Sequence, residues 1–316
     1  MTRVTLLAGG VGGAKLAEGL AEIPEITLTV IGNVADDEEF HGLWVSPDID
    51  TMLYTLSDRV NRDQGWGLAD EGNRALEMLN CLGADTWMFL GDRDFGLHIY
   101  RTERLRRGDR PSDILADIVS KFDINSKILL PTEAKVQTRV LTDCGWLSFQ
   151  EYFVKERCKP DVLELRYDGL ESSKITPHAE QALKEAELIV IAPSNPLVSI
   201  LPILKIPGFY TALQETTAYI LAVSPLISGK ALKGPADRML TSLKYRADSV
   251  GVAHFYEDIA GYFLMDCSDR DLSGEVSKLG MTPYTTDILM PDLAGKVRLA
   301  HEILAIYKNE SRMDSK

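Results

Sequence analysis

Four glycines crowd between Gly9 and Gly13, directly after the apolar run Val4–Ala8 and directly before Ala14-Lys15-Leu16. A backbone so nearly bare of Cβ atoms lets amides approach a ligand closely, and at the start of a helix that ligand is characteristically a phosphate. Neither common nucleotide loop accounts for the run. A P-loop needs lysine directly after glycine and a hydroxyl next to hold magnesium; here Ala14 separates Gly13 from Lys15, and Leu16 takes the hydroxyl position. A dinucleotide fingerprint needs a third glycine where Lys15 sits and an acid near the end of the second strand, where Ile31-Gly32-Asn33 stand. The run therefore reads as a phosphate cradle of another kind, or as a turn whose glycines serve tight packing.

Downstream, Asp36, Asp37, Asp48 and Asp50 place four carboxylates within fifteen residues. Beside a phosphate cradle this suggests magnesium, which takes a few hard oxygen ligands and shares itself with substrate phosphates. Asp48 equally suits the first turn of a helix opened by Ser46-Pro47; Asp50, deeper in that turn, suits capping less. Gly91-Asp92-Arg93-Asp94 either orients a polar ligand or pairs its own charges on a solvated loop. His98 reaches the same place only if a helix starts there, and taken alone reads as a surface residue. Pro193-Ser194-Asn195-Pro196 offers donors and acceptors on a loop fixed by two prolines, and Ser224–Pro235 adds Lys230 and Lys233. The histidines lie far apart and none sits in a nucleophile elbow, so a covalent mechanism is not indicated.

These loops share a position. Val4–Ala8, Ile26–Ile31, Thr86–Leu90, Leu188–Ala192, Tyr219–Ser224 and Tyr262–Asp266 read as buried strands, with helices at Ala14–Glu22, Pro235–Leu243 and Leu293–Tyr307. Strand–helix–strand spacing from the first residues predicts right-handed crossovers and a parallel sheet. The expected class is α/β: a Rossmann-like three-layer parallel sheet with helices on both faces, whose ligands sit beyond the carboxyl ends of the strands. Val136–Tyr167 differs, because alternating segments flank the turn signal Asp143-Cys144-Gly145; it predicts a small hairpin-containing insert around 136–167 of a single domain spanning 1–316. Asn309–Lys316 reads as a loose tail.

The 316 residues are 45% hydrophobic and 26% charged, ordinary for a soluble globular chain. A formal net charge of -13 opposes broad binding to nucleic acid or anionic membranes, so any anionic substrate has to be met by local donors. The four cysteines form no Cys-x-x-Cys pair, no apolar run reaches spanning length, and the start lacks a secretory signal. The expectation is a cytoplasmic protein with no nucleic-acid and no membrane partner.

Taken in order, Leu7-Ala-Gly-Gly-Val-Gly-Gly-Ala-Lys-Leu16, Asn33-Val-Ala-Asp-Asp37, His41-Gly-Leu-Trp-Val-Ser-Pro-Asp-Ile-Asp-Thr51, Leu90-Gly-Asp-Arg-Asp94, Ala192-Pro-Ser-Asn-Pro196 and Val223-Ser-Pro-Leu-Ile227 closely resemble the 2-phospho-L-lactate transferase family. The resemblance runs from Arg3 to about Asp287. It implies a Mg²⁺-dependent enzyme of coenzyme F-420 biosynthesis. Such an enzyme moves phospholactate or phosphoenolpyruvate from its GDP-activated form to the ribityl hydroxyl of 7,8-didemethyl-8-hydroxy-5-deazariboflavin, and GMP leaves. By matching motifs, Gly10, Gly12, Gly13 and Lys15 would meet the diphosphate, with Asn33, Ser194, Asn195 and Ser224 on the guanosine side. Asp50 and Arg93 would contact the deazaflavin. Asp50 would be catalytic, as a magnesium ligand or as acceptor of the hydroxyl's proton, with Asp37 and Asp48 as further metal ligands. The resemblance also implies a homodimer. Trp44, Tyr54 and Trp66 are aromatic candidates to stack on the flat tricycle, or simply pack. A competing reading is a non-catalytic nucleotide-sugar-binding regulator of the same fold. Those relatives share the opening glycine loop, but prefer a glycine- and serine-rich run where Glu38-Glu39-Phe40-His41 stands here. A nicotinamide-dependent dehydrogenase is disfavoured by the failed fingerprint.

Overall fold

Leu6 and Leu7 show how the sheet is built: successive side chains of one strand point to opposite faces, and both faces are covered. Val4, Leu6 and Ala8 join one apolar cluster, with Leu16, Met52, Ile114 and Leu299 from helices on that side. Leu7 joins a second cluster with Leu183, Phe209, Met239 and Val276 from helices on the other. The computed structural model describes residues 1–313. It contains a seven-stranded parallel sheet in a three-layer α/β sandwich.

From one edge the strands run Thr282–Thr286, Tyr262–Asp266, Tyr219–Val223, Leu188–Ile191, Thr2–Ala8, Ile26–Gly32 and Lys127–Leu129. The chain winds outward from the first strand to one edge, then returns to that strand's other side. Val4 to Leu7 thus pair with Leu188 to Ile191. Strand order reverses between these two neighbours. The loops after them diverge and open a crevice at the carboxyl ends, the usual ligand position in a doubly wound sheet. Gly9–Gly13 flanks that crevice on one side and Pro193–Pro196 on the other.

Strands Gln137–Thr142, Gly145–Ser148 and Glu164–Asp168 form a separate antiparallel sheet, with Asp143-Cys144 as the two-residue turn between Thr142 and Gly145. A hairpin, Glu38–Phe40 with Leu43–Val45, precedes the helix Pro47–Leu56. Thr86–Leu90, expected as a strand, pairs with no strand among the described residues. Trp87 stands edge-on to Phe40 at 5.4 Å, and Leu90 packs with Phe40, Val45, Leu76 and Phe95. Its β-rich composition answers to burial rather than to pairing. The expected tail is also corrected: the last helix runs Leu293–Met313, with Glu310 accepting from the Tyr284 hydroxyl at 2.5 Å, and residues 314–316 lie outside the described residues. Among the described residues no single helix is long and apolar enough to cross a membrane, and all four cysteines are free.

Candidate active site at the sheet switch point

Gly10 adopts φ +61 and launches the helix Gly10–Ala21. A Cβ on Gly12 would lie 2.3 Å from the Pro193 carbonyl oxygen, and one on Gly13 would lie 2.8 Å from Ala8 Cβ. These glycines therefore serve close packing of the helix start against the neighbouring loop. The amide of Gly10 bonds to Asp48. Those of Val11 and Gly12 have no acceptor inside the helix, which leaves them and the helix dipole for an anion. Lys15 Nζ reaches the Met290 carbonyl at 2.9 Å, and its pKa is lowered by burial, then by Lys233 and Lys296. Lys233 Nζ lies 2.8 Å from the Gln64 carbonyl.

The polar residues expected on the guanosine side are mostly engaged within the protein. Ser194 Oγ donates to the Gly9 carbonyl at 2.7 Å. Asn33 Nδ2 donates to Asp48 Oδ2 at 2.9 Å and to the Val198 carbonyl at 3.1 Å, while its Oδ1 accepts from Ala35. Ser224, fully buried, bonds with Leu226 and Ser249, and Ser249 in turn donates to Asp269. Asn33, Ser194 and Ser224 thus each hold backbone or side-chain partners within the protein. Loops at strand ends carry buried backbone groups that need partners, and these side chains supply them. Asn195 differs: it is half-buried, its Oδ1 caps the Leu197 amide, and its Nδ2 has only the Met239 thioether at 3.7 Å.

The acidic residues fall into two pairs. Burial, then Asp48 and Asp37, push Asp36 well above the carboxylate range. Burial lifts Asp48 to about 6 against hydrogen bonds from Asn33 and Gly10. Asp37 reaches about 8, raised by burial and by Asp50, although Ser46 Oγ (2.8 Å) and Trp44 Nε1 (3.2 Å) both donate to its Oδ2. Asp36 Oδ1 and Asp37 Oδ1 are buried with no hydrogen-bond partner. Asp36 stood among the four carboxylates that suggested magnesium, but not among the ligands the family resemblance implied.

Asp50 is closed off differently. Arg101, itself buried, grips both its oxygens, with Nη1 on Oδ2 at 3.1 Å and Nη2 on Oδ1; the Ser46 amide adds a bond at 3.3 Å. Arginine only donates, so its 3.3 Å contact to His98 Nδ1 fixes that nitrogen as the acceptor. Burial lowers the His98 pKa to about 4, opposed by Asp50, so the ring is neutral near pH 7. His98 is therefore not a surface residue. The helix that brings it in does start at Asp92, and places Asp94, His98 and Arg101 on one face. Tyr54 hydroxyl donates to Asp94 Oδ1 at 2.6 Å, and Asp92 Oδ1 accepts from the Ala75 amide at 2.9 Å. Arg93 is exposed, its Nη1 on the Ala69 carbonyl at 3.1 Å. It precedes Arg101 by ~12 Å along the helix axis.

A cavity of about 230 Å³ opens beside Asp37, Ser46 and Arg101, walled by Trp44, Leu105, Ile114, Leu115, Ile118 and Leu130. Lys135 lies over the Trp44 ring at 5.1 Å. Tyr54 is buried away from solvent, and Trp66 is exposed. Two larger grooves, of about 530 and 650 Å³, lie at the opposite ends of the strands around Thr217 and Tyr219. Strand polarity, rather than volume, selects the smaller cavity.

Among the described residues no three His, Cys, Asp or Glu side chains converge as a ready-made metal cage. Magnesium requires less: one or two carboxylates, with water and substrate phosphate completing the shell. Asp36 and Asp48 fit that need, being mutually repelling, buried, and short of a partner at Asp36 Oδ1. Asp50, charge-paired with Arg101, does not.

The family model "2-phospho-L-lactate transferase CofD" matches residues 4–291. A 2-phospho-L-lactate transferase of Methanopyrus kandleri is 37% identical over 310 residues, covering 97% of this chain and 98% of that protein. One of Methanococcoides burtonii is 34% identical, covering 96% and 99%. A phosphoenolpyruvate transferase of Streptomyces coelicolor is 33% identical, covering 96% and 98%. A solved structure of a UPF0052-family protein from Bacillus halodurans superposes with a TM-score of 0.64 at 16% identity, covering 96% of this chain and all (100%) of that one, a likeness of fold.

Proposed function

The chain belongs to the 2-phospho-L-lactate transferase CofD family, and from that membership we propose that it transfers a phospho-acid from its GDP-activated form to a deazaflavin precursor in coenzyme F-420 biosynthesis. The names of its relatives divide between phospholactate and phosphoenolpyruvate as the transferred group. The supporting observation is a row of buried carboxylates, two of them with an unpartnered oxygen. It leads from Asp48, beside the glycine loop, through Asp36 to Asp37 at the apolar cavity.

In this reading the ribityl hydroxyl oxygen bonds to the phosphorus that carries the acid. The bond from that phosphorus to the bridging oxygen breaks, and GMP departs. Alignment and charge neutralisation supply most of the acceleration. The amides of Val11 and Gly12 hold the diphosphate, and Lys15 and Lys233 offset its charge. Asn195, with its underused amide, faces the guanosine. Asp36 and Asp48 would hold Mg²⁺, which neutralises charge on the phosphoryl oxygens. Asp37, free at Oδ1 and lining the cavity, would accept the hydroxyl proton once Mg²⁺ beside it favours its ionised form, the role first weighed for Asp50. Asp50 acts through Arg101, holding the guanidinium at the cavity's polar end. Trp44 and the aliphatic wall receive the tricycle, with Arg93 at the outer rim. A cytoplasmic homodimer completes the reading.

The test offers the purified protein each guanylated acid (lactate, enolpyruvate, glycerate derivatives) with the deazaflavin precursor and Mg²⁺, and reads product masses. One donor is expected to yield the phospho-acid adduct and equimolar GMP, abolished by EDTA and restored by Mg²⁺. No adduct from any donor overturns the transferase reading; full turnover in chelator removes the metal from it.

A further inference from the structure

The three-stranded insert grips the Asp36–Asp37 turn at three points. The Thr138 amide donates to the Ala35 carbonyl at 2.7 Å. Gln137 Nε2 donates to the Asp37 carbonyl at 2.8 Å, and Gln150 Nε2 to the Asp36 carbonyl at 3.4 Å. Ala35, Val136 and Tyr167 pack together beneath, and the Tyr167 hydroxyl reaches the Leu197 carbonyl at 2.5 Å. The turn thus rests on a platform contributed by residues about a hundred positions later in the chain.

Gln150 is itself fixed. Ser148 and Glu151 exchange hydrogen bonds, Glu151 Oε2 accepting the Ser148 amide (2.7 Å) and Ser148 Oγ the Glu151 amide (3.1 Å). This reciprocal box sets the first turn on which Gln150 is carried, with its side chain buried. An independent observation marks what the platform supports. Five buried side-chain atoms lack partners among the described residues, and three of them (Asp36 Oδ1, Asp37 Oδ1 and Thr138 Oγ1) belong to this turn and the strand clamped on it. Buried polar groups are ordinarily paired, so a concentration of unpaired ones points to a ligand.

We infer that Gln137 and Gln150 are positioning residues, which hold the Asp36 and Asp37 backbone so that both carboxylates face a bound cation and the reacting phosphate. Groups that orient metal ligands from behind typically change metal affinity 10–100-fold when removed. The inference rests on the carboxylate row being the reaction site. It assigns the insert a task in catalysis rather than in fold alone.

Gln137→Met and Gln150→Met, singly and together, keep side-chain length and remove the donors. Binding is read with Mn²⁺ alone, by loss of the free-ion electron paramagnetic resonance signal, and turnover by the product assay. The double variant is expected to bind Mn²⁺ at least tenfold more weakly than wild type. It should lose kcat without a comparable rise in the deazaflavin KM, and keep the wild-type circular dichroism spectrum. A role confined to the fold would lower melting temperature and leave the Mn²⁺ dissociation constant unchanged, which would overturn the inference. If the double variant unfolds, the half-buried Gln137→Met carries the test, and wild-type Mn²⁺ affinity and kcat there would also overturn it. Wild type that makes no adduct refutes the transferase reading. Wild type that turns over beside variants with unaltered Mn²⁺ binding refutes only the role of the glutamines.

Discussion

Asp50→Asn is expected to lower the free energy of unfolding by about 3–5 kcal/mol, the usual consequence of removing one partner from a buried ion pair. Arg101 is buried and donates both of its carboxylate bonds to Asp50, while its other contacts, the Trp44 carbonyl and the His98 ring, are neutral. The amide leaves that guanidinium without a countercharge. Denaturant melts of Asp50→Asn and wild type measure the loss. Replacing the pair together, Asp50→Leu with Arg101→Met, should recover most of the stability, because apolar side chains of similar volume need no countercharge. It should not recover turnover, since Arg101 also lines the acceptor cavity. A single variant within ~1 kcal/mol of wild type would show a pair screened like a surface bridge, against its burial.

The second large effect concerns pH. Asp37, at about 8, stays largely protonated in the metal-free fold near neutral pH, whereas in the unfolded chain it ionises near pH ~3.9; burial shifts Asp36 in the same direction. A raised folded-state pKa contributes stability that is complete below the unfolded pKa and is lost as pH rises through the folded one. Between pH ~6.5 and ~8 the unfolding free energy of metal-free protein should therefore fall by up to about 1.4 kcal/mol per pH unit for each such group. His98 has the opposite sign, its pKa being lowered, but its contribution is already complete above pH ~6.5. Mg²⁺ binds the ionised carboxylates and should flatten the decline. Asp37→Asn should remove part of it. Melting temperature against pH, in EDTA and in Mg²⁺, reads both. A metal-free melting temperature that holds steady or climbs from pH 6.5 to 8 would contradict the raised Asp37 pKa.

Much of the fold was legible because its determinants are local. The glycine run after an apolar strand, the β-branched strands and the alternating insert each announce themselves within ten residues or so. Thr86–Leu90 misled because strand composition reports burial, and only a paired neighbour makes a strand. At the site, the sequence identified the acidic motifs but could not apportion their roles. Whether a carboxylate meets a cation or an arginine depends on which helix packs opposite. Asp50 drew Arg101 from a helix fifty residues away, while Asp36 drew no cation among the described residues. One signal was available: with a helix started at Asp92, the spacing of Asp94, His98 and Arg101 puts all three on a single face. The internal partners of Asn33, Ser194 and Ser224 were not legible for a general reason. A polar residue at a strand end serves loop backbone and ligand with the same atoms, and composition does not distinguish the two.

The most direct test of the carboxylate row is a crystal grown with Mn²⁺ and an unreactive analogue of the guanylated donor, read by anomalous scattering from the metal. The account predicts one strong peak bonded to Asp36 and Asp48, with the analogue's diphosphate on the amides of Val11 and Gly12. Manganese bound to Asp50 in place of Arg101, or a nucleotide seated in the grooves around Thr217 and Tyr219, would contradict it.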